Sequence, residues 1–164
     1  MSLFIQFKSP IGLVTVYRTR NGIARVEIGS LVSKCEAGSS QGEALQQCEL
    51  EFTEYFTGKR KDFNLPLDWS GITGFQADVL HLTLGIPFGE VRTYGEIARA
   101  LHKPAASRAV GGALARNPLP ILIPCHRVVA ASGHLTGYSA ANGITTKAWL
   151  LEMEGHKIVA QKLA

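Results

Sequence analysis

Between Leu119 and Val129 the chain reads Leu-Pro-Ile-Leu-Ile-Pro-Cys-His-Arg-Val-Val. The apolar residues on either side mark a core segment, so the fold must bury a thiol, an imidazole and a guanidinium side by side. Leaving such groups without partners costs several kcal/mol. A structural explanation alone does not account for three of them in one run. Cys125 and His126 are adjacent, and in an extended strand they would point to opposite faces. A bend at Pro124 would let both reach one site. A thiol near its free pKa of about 8.5 is a poor nucleophile until a base takes its proton, so a nearby imidazole is what the chemistry requires. A carboxylate would then orient the ring, and Glu152 and Glu154 are the only acids after Glu96.

Periodicity divides the chain near residue 70. Phe4–Lys8, Leu13–Tyr17 and Ile23–Ile28 alternate like strands and are separated by the turn signals Ser9-Pro10-Ile11-Gly12 and Arg20-Asn21-Gly22. They predict an antiparallel meander. The Gly/Ser-containing stretch Glu36–Gly42 leads into a helix with Leu45, Cys48, Phe52, Tyr55 and Phe56 along one face, ended by Gly58. Residues 1–70 thus read as a small scaffold domain, and residues 71–164 as a second domain.

In the second part a helix is expected from Phe75 to about Leu84. Thr93 can cap a following helix, with Glu96 completing a capping box. Pro104 breaks that helix, and Ser107 can cap the next one, which runs through Ala109, Gly111, Gly112 and Ala115. Two short helices joined by a tight turn make a helix-turn-helix candidate. The small residues of its second helix let the backbone press closely against another surface.

Charge agrees with this placement. Residues 1–70 carry eight basic and eight acidic side chains, so the net +4 arises in the second half. Arg92, Arg99, Lys103, Arg108, Arg116 and Arg127 form a basic stripe with one acid, Glu96, which suits a polyanion. No apolar run approaches the roughly 18–20 residues of a membrane span, and the alternating start MSLFIQFKSPIG does not read as a secretory signal. Three cysteines, Cys35, Cys48 and Cys125, are then expected in a reducing cytoplasm without structural disulfides. No Cys/His set in the first half suits a tetrahedral zinc site, and neither metal nor cofactor is expected.

Pro124-Cys125-His126-Arg127-Val128 resembles the signature of the O6-alkylguanine-DNA alkyltransferase family. The similarity extends to Phe75-Gln76, Ile86-Pro87-Phe88-Gly89, Thr93–Ala98, Arg108-Ala109-Val110-Gly111 and Asn117-Pro118. Beyond the cysteine it continues through Gly133–Tyr138 and Lys147…Leu150-Leu151…Glu154-Gly155. The resemblance implies an α/β (α+β) fold: a β-meander with a helix, followed by a winged-helix-like helix-turn-helix domain.

The resemblance also assigns roles. Cys125 would accept an alkyl group from O6-alkylguanine in double-stranded DNA, once and irreversibly. His126 would act as base through a water, oriented by Glu154, and Asn117 would brace the turn holding the cysteine. Tyr94 would help rotate the damaged nucleotide and donate a proton. Arg108 would fill the vacated stack, with Ala109, Gly111, Gly112, Ala115 and Arg116 in the minor groove. Pro124, Leu135, Tyr138 and Ser139 would line the pocket. A monomer acting on DNA alone is implied. This sequence departs from the family pattern at Leu80, where many members have Trp, at Ala140-Ala141 in place of Gly-Gly, and in a longer Tyr138–Lys147 loop. The alternative is a damage-recognition or regulatory relative that binds DNA without transfer, against which the presence of Cys125 argues. A cysteine hydrolase lacks its local signatures here.

Overall fold

The computed structural model describes residues 3–29 and 43–164; Cys35 and the Glu36–Gly42 stretch lie outside the described residues. Strands β1 (Leu3–Ser9), β2 (Gly12–Thr19) and β3 (Gly22–Ile28) form an antiparallel sheet in the order β1-β2-β3. Phe7 faces Val14, and Val14 and Val16 face Ile28 and Val26, so cross-strand partners share one buried surface. Helix α1 (Glu43–Phe56) covers it, with the Phe7 and Phe52 rings 5.6 Å apart. Its apolar face is the expected one. Glu51 also lies buried there, accepting from Gln47 at 2.9 Å and from the Asn64 backbone at 2.8 Å.

The chain then returns along β3. Ile23 N donates to Pro66 O at 2.7 Å, and Asp68 N donates to Ile23 O at 2.8 Å. Gly22 makes this possible: its φ is +142°, and a Cβ there would collide with the Pro66 carbonyl. On the same strand Val26 N donates to Pro118 O at 2.8 Å, which ties the sheet to the loop preceding Cys125.

The remainder is α2 (Gly74–Leu84), β4 (Arg92–Thr93), α3 (Tyr94–Ala100), α4 (Ser107–Ala115), a 3-10 turn (Cys125–Arg127), β5 (Val128–Val129), α5 (Ile144–Met153) and the hairpin β6 (Ile158–Val159) with β7 (Lys162–Leu163). Strands β4 and β5 pair in parallel. The capping box is formed: Thr93 Oγ1 accepts from Glu96 N at 3.1 Å, and Glu96 Oε2 accepts from Thr93 N at 2.6 Å.

Ser107 does not cap α4. Ala106 holds that position with φ −89° and ψ 15°, and no side chain bonds the free N–H groups. The turn closed by Ala106 N and Lys103 O (2.8 Å) feeds directly into the helix, so the extended backbone that a capping residue adopts never forms. The buried side chains of both parts make one continuous apolar cluster, from Phe7 and Phe52 through Val110 and Leu119 to Leu150. Among the described residues no helix is long and apolar enough to cross a membrane.

Candidate active site

The loop before Cys125 is held by one side chain. Asn117 Nδ2 donates to Ile123 O at 3.0 Å while its Oδ1 accepts from Leu119 N at 3.0 Å. Between these anchors Ile121 sits at φ +74°, a left-handed conformation that costs a β-branched residue about 1–3 kcal/mol. The brace fixes where the chain next turns. Cys125, His126 and Arg127 curl into a 3-10 turn rather than an extended strand, with Arg127 N donating to Pro124 O at 2.9 Å. All three side chains are buried, Cys125 retaining 9% of its surface.

Their partners come from distant elements. Glu154, at the end of α5, is buried and lies 2.9 Å from His126 Nε2. Arg127 donates to the same carboxylate through Nε (2.9 Å) and Nη2 (2.8 Å), and through Nη1 to Ile86 O at 2.6 Å. Tyr55, from α1, donates to Glu154 Oε1 at 2.7 Å. Arg127 therefore does not belong to the basic stripe. Its charge is consumed inside, as expected of a guanidinium with 5% exposure beside a carboxylate.

Burial pushes the Glu154 carboxyl up, but the His126 and Arg127 hydrogen bonds and charges outweigh it and hold the group ionised, well below the usual carboxylate range. Burial lowers the His126 pKa; Glu154 opposes this, while Arg127 and Lys147 add to it. The ring is therefore neutral at pH 7, and the ionised carboxylate assigns its proton to Nε2. Nδ1 is left as the acceptor, and it is buried with no partner among the described residues. Burial also raises the Cys125 thiol, with Asn117, Lys147 and the N–H groups of Cys125 and His126 pulling the other way. At rest the thiol is protonated.

Lys147 is a second buried cation. Its Nζ donates to Val128 O at 2.6 Å and Thr136 O at 2.8 Å, and burial lowers its pKa to about 8 against the pull of Cys125. It ties Val128, just after the cysteine turn, to Thr136 further along the chain. Neither Lys147 nor Tyr55 is evident as a site residue from the sequence. The signal for a partner to Arg127 was present, since a buried guanidinium needs an anion and few acids follow it.

Other expected site residues divide into groups. Tyr94, at the start of α3, donates to Thr136 O at 3.0 Å, and a Cβ on Gly111 would meet its ring at 3.8 Å, an ordinary contact. Gly137, at φ +65°, leaves room for the same hydroxyl, which a Cβ there would approach to 3.1 Å. Tyr94, Arg108, Gly111 and Gly137 bound a hollow of about 330 Å³. On α4, Arg108, Ala109 and Ala115 are exposed, as is Arg116 just past its end, and Gly112 is half-buried. Tyr138 is buried, its hydroxyl without a partner among the described residues and its pKa raised by burial and then by Cys125. Ser139 is exposed and donates to Ala115 O at 3.0 Å. Leu135 packs with Val129 and Leu151 instead, and Pro124 lines a cleft with Arg127 and Trp69 away from that hollow.

Known proteins are similar to this chain over both of its parts. Residues 74–156 match the model of the 6-O-methylguanine DNA methyltransferase DNA binding domain. Residues 3–69 match that of the ribonuclease-like domain of the same proteins. The methylated-DNA–protein-cysteine methyltransferase of Methanosarcina acetivorans is 41% identical over 152 residues, covering 91% of this chain and 96% of that one. The protein of the same name from Mycobacterium leprae is 45% identical over 116 residues, 71% of this chain and 68% of that one. The crystal structure of Mycobacterium tuberculosis O6-methylguanine methyltransferase superposes with a TM-score of 0.81 at 37% identity, covering 98% of this chain and 96% of that one. A complex of the M. tuberculosis protein with DNA gives a TM-score of 0.78 at 37% identity, covering 92% and 91%. The chain thus belongs to the 6-O-methylguanine DNA methyltransferase family.

Proposed function

We propose that this chain, a methylated-DNA–protein-cysteine S-methyltransferase by family, repairs DNA by moving the alkyl group of O6-alkylguanine onto Cys125. The observation that carries this reading is the buried Cys125 turn, with His126 locked to Glu154 through Nε2 and its Nδ1 left free to accept a proton. The thiol proton passes to Nδ1, directly or through a water. The thiolate then attacks the O6-bound alkyl carbon in line, forming the S–C bond as the C–O6 bond breaks. The electron pair returns to the guanine, which takes up a proton. The resulting thioether has no facile reverse path, so one protein repairs one lesion.

A guanine in the duplex cannot present O6 to a thiol with 9% exposure, so the nucleotide has to leave the stack, at a cost of a few kcal/mol. Helix α4 is the element to do this. Arg108 would fill the gap left in the stack, with Arg116 and the small residues Ala109, Gly112 and Ala115 against the minor groove. Gly111, where a Cβ would meet the Tyr94 ring only at ordinary contact distance, would lie among these small residues. The Tyr94 hydroxyl, kept protonated by burial, would donate towards the departing guanine. Tyr138 and Ser139 would meet the base edge. The division at residue 70 would leave DNA contact to residues 71–164, and the protein would act as a monomer.

Mass spectrometry after incubation with a duplex bearing one O6-methylguanine tests this reading. A gain of one methyl group, confined to the Cys125 peptide and saturating at one per protein, is expected. Lesion binding without any gain would leave a damage-recognition protein.

A further inference from the structure

Among the described residues, the first part of the chain supplies one polar atom to the proposed reacting centre. Tyr55 is fully buried among Phe56, Phe63 and Phe88, yet its hydroxyl ends 2.7 Å from Glu154 Oε1 and 3.4 Å from His126 Nε2. Oε1 thereby accepts from three side chains at once: Tyr55, His126 and Arg127. Oε2 accepts from Arg127 Nε and, at 3.4 Å, from Gly89 N.

We propose that Tyr55 is a positioning residue for the Cys125–His126 pair, its hydroxyl holding Glu154 as an orienting carboxylate that does not over-stabilise the charged imidazole. The inference rests on the alkyl-transfer reading only for its consequence, not for its geometry. A carboxylate 2.9 Å from an imidazole raises the ring's basicity. That pull is opposed first by burial and then by Arg127 and Lys147, which leaves the ring neutral and able to take the thiol proton. Each further donor to Oε1 draws off part of its charge and weakens the pull. The charged and titratable groups facing the ring are Glu154, Arg127, Lys147 and Tyr55, with Cys125 beside it. Arg127 and Lys147 belong to the second part of the chain. Tyr55 alone among these comes from α1, so the scaffold helps to set the protonation state of the base.

The measurement is 15N NMR of histidine-labelled full-length protein, following the His126 ring nitrogens against pH. Wild type and Tyr55→Phe, which removes only the hydroxyl, are compared. Phe52→Leu, a nearby buried change of α1 with no polar atom, controls for loosened packing. Tyr55→Phe should keep the Nε2–H tautomer and raise the His126 titration midpoint by about one pH unit, the scale of one hydrogen bond to a charged group. Phe52→Leu should lower thermal stability and leave the midpoint in place. An unchanged midpoint in Tyr55→Phe, or an equal rise in Phe52→Leu, overturns the proposal. Methyl transfer from the O6-methylguanine duplex is measured on the same wild-type preparation. If transfer is absent while the NMR shift is present, the functional reading alone fails. If both hold, the acid limb of the transfer rate in Tyr55→Phe moves to higher pH with the midpoint.

Discussion

Glu154 is the residue on which the site depends. It is buried and ionised, and Arg127 is buried against it. Replacing it by Gln keeps the shape but leaves the Arg127 charge uncompensated, which should cost about 3–5 kcal/mol in a denaturant titration and slow transfer. The pH dependence of stability has a definite sign. His126 has a folded pKa below its ordinary value of about 6.5, so the unfolded chain takes up a proton first as the solution is acidified. Glu154 behaves likewise below the ordinary carboxylate range. Both contributions are complete above about pH 7 and are lost on acidification, His126 first from about pH 6.5 and Glu154 from about pH 4.5 downward. Equilibrium unfolding from pH 8 to 4 should show a decline beginning near pH 6.5, and His126→Gln should remove that upper part. At this scale the sequence was partly legible. Adjacent Cys125 and His126 suggest a nucleophile and its base, and few acids follow, but Glu152 and Glu154 both fit until the family resemblance selects Glu154. Tyr55 was not legible, because an amphipathic helix displays it as one more apolar-face aromatic, and its hydroxyl acquires a purpose only 99 residues away.

At the scale of elements, α3 and α4 differ in how they begin. The α3 capping box satisfies N–H groups from both directions, and Thr93→Ala should destabilise the protein by about 1 kcal/mol in thermal or chemical unfolding. Ala106 precedes α4 with a backbone outside the extended region, so Ala106→Ser should return well under that amount. The pattern Thr-x-x-Glu could be read directly because its chemistry is local. Ser107 misled because the conformation of the residue before it is decided by the turn from Lys103 to Ala106, which residue preferences do not encode. The strands and α1 were legible for the same reason as the capping box: alternation and helical spacing state which face is buried. The Cys125–Arg127 turn was not. It depends on Asn117 bridging Leu119 and Ile123, a tertiary brace over a strained Ile121.

At the scale of the molecule, charge and connectivity separate. With Arg127 internal, the exposed cations near α3 and α4 are Arg92, Arg99, Lys103, Arg108 and Arg116. DNA affinity should fall with salt, and Arg116→Ala should reduce the slope of log K against log salt by about 0.9 if that side chain neutralises one phosphate. An unchanged slope in a binding titration would place Arg116 off the duplex. The two parts share one core, so unfolding followed by fluorescence of Trp69 and Trp149 and by far-UV circular dichroism should give a single coincident transition.

That connectivity also bears on how the protein is made. During synthesis Cys125 leaves the ribosome before Glu154, and Tyr55 long before either. The three donors that converge on one carboxylate oxygen therefore lack their acceptor until α5 has been translated and has folded back. A nascent chain carries the thiol but not the finished base beside it. Under the proposed alkyl transfer, the order of translation would withhold the reactive pair until the whole molecule is assembled.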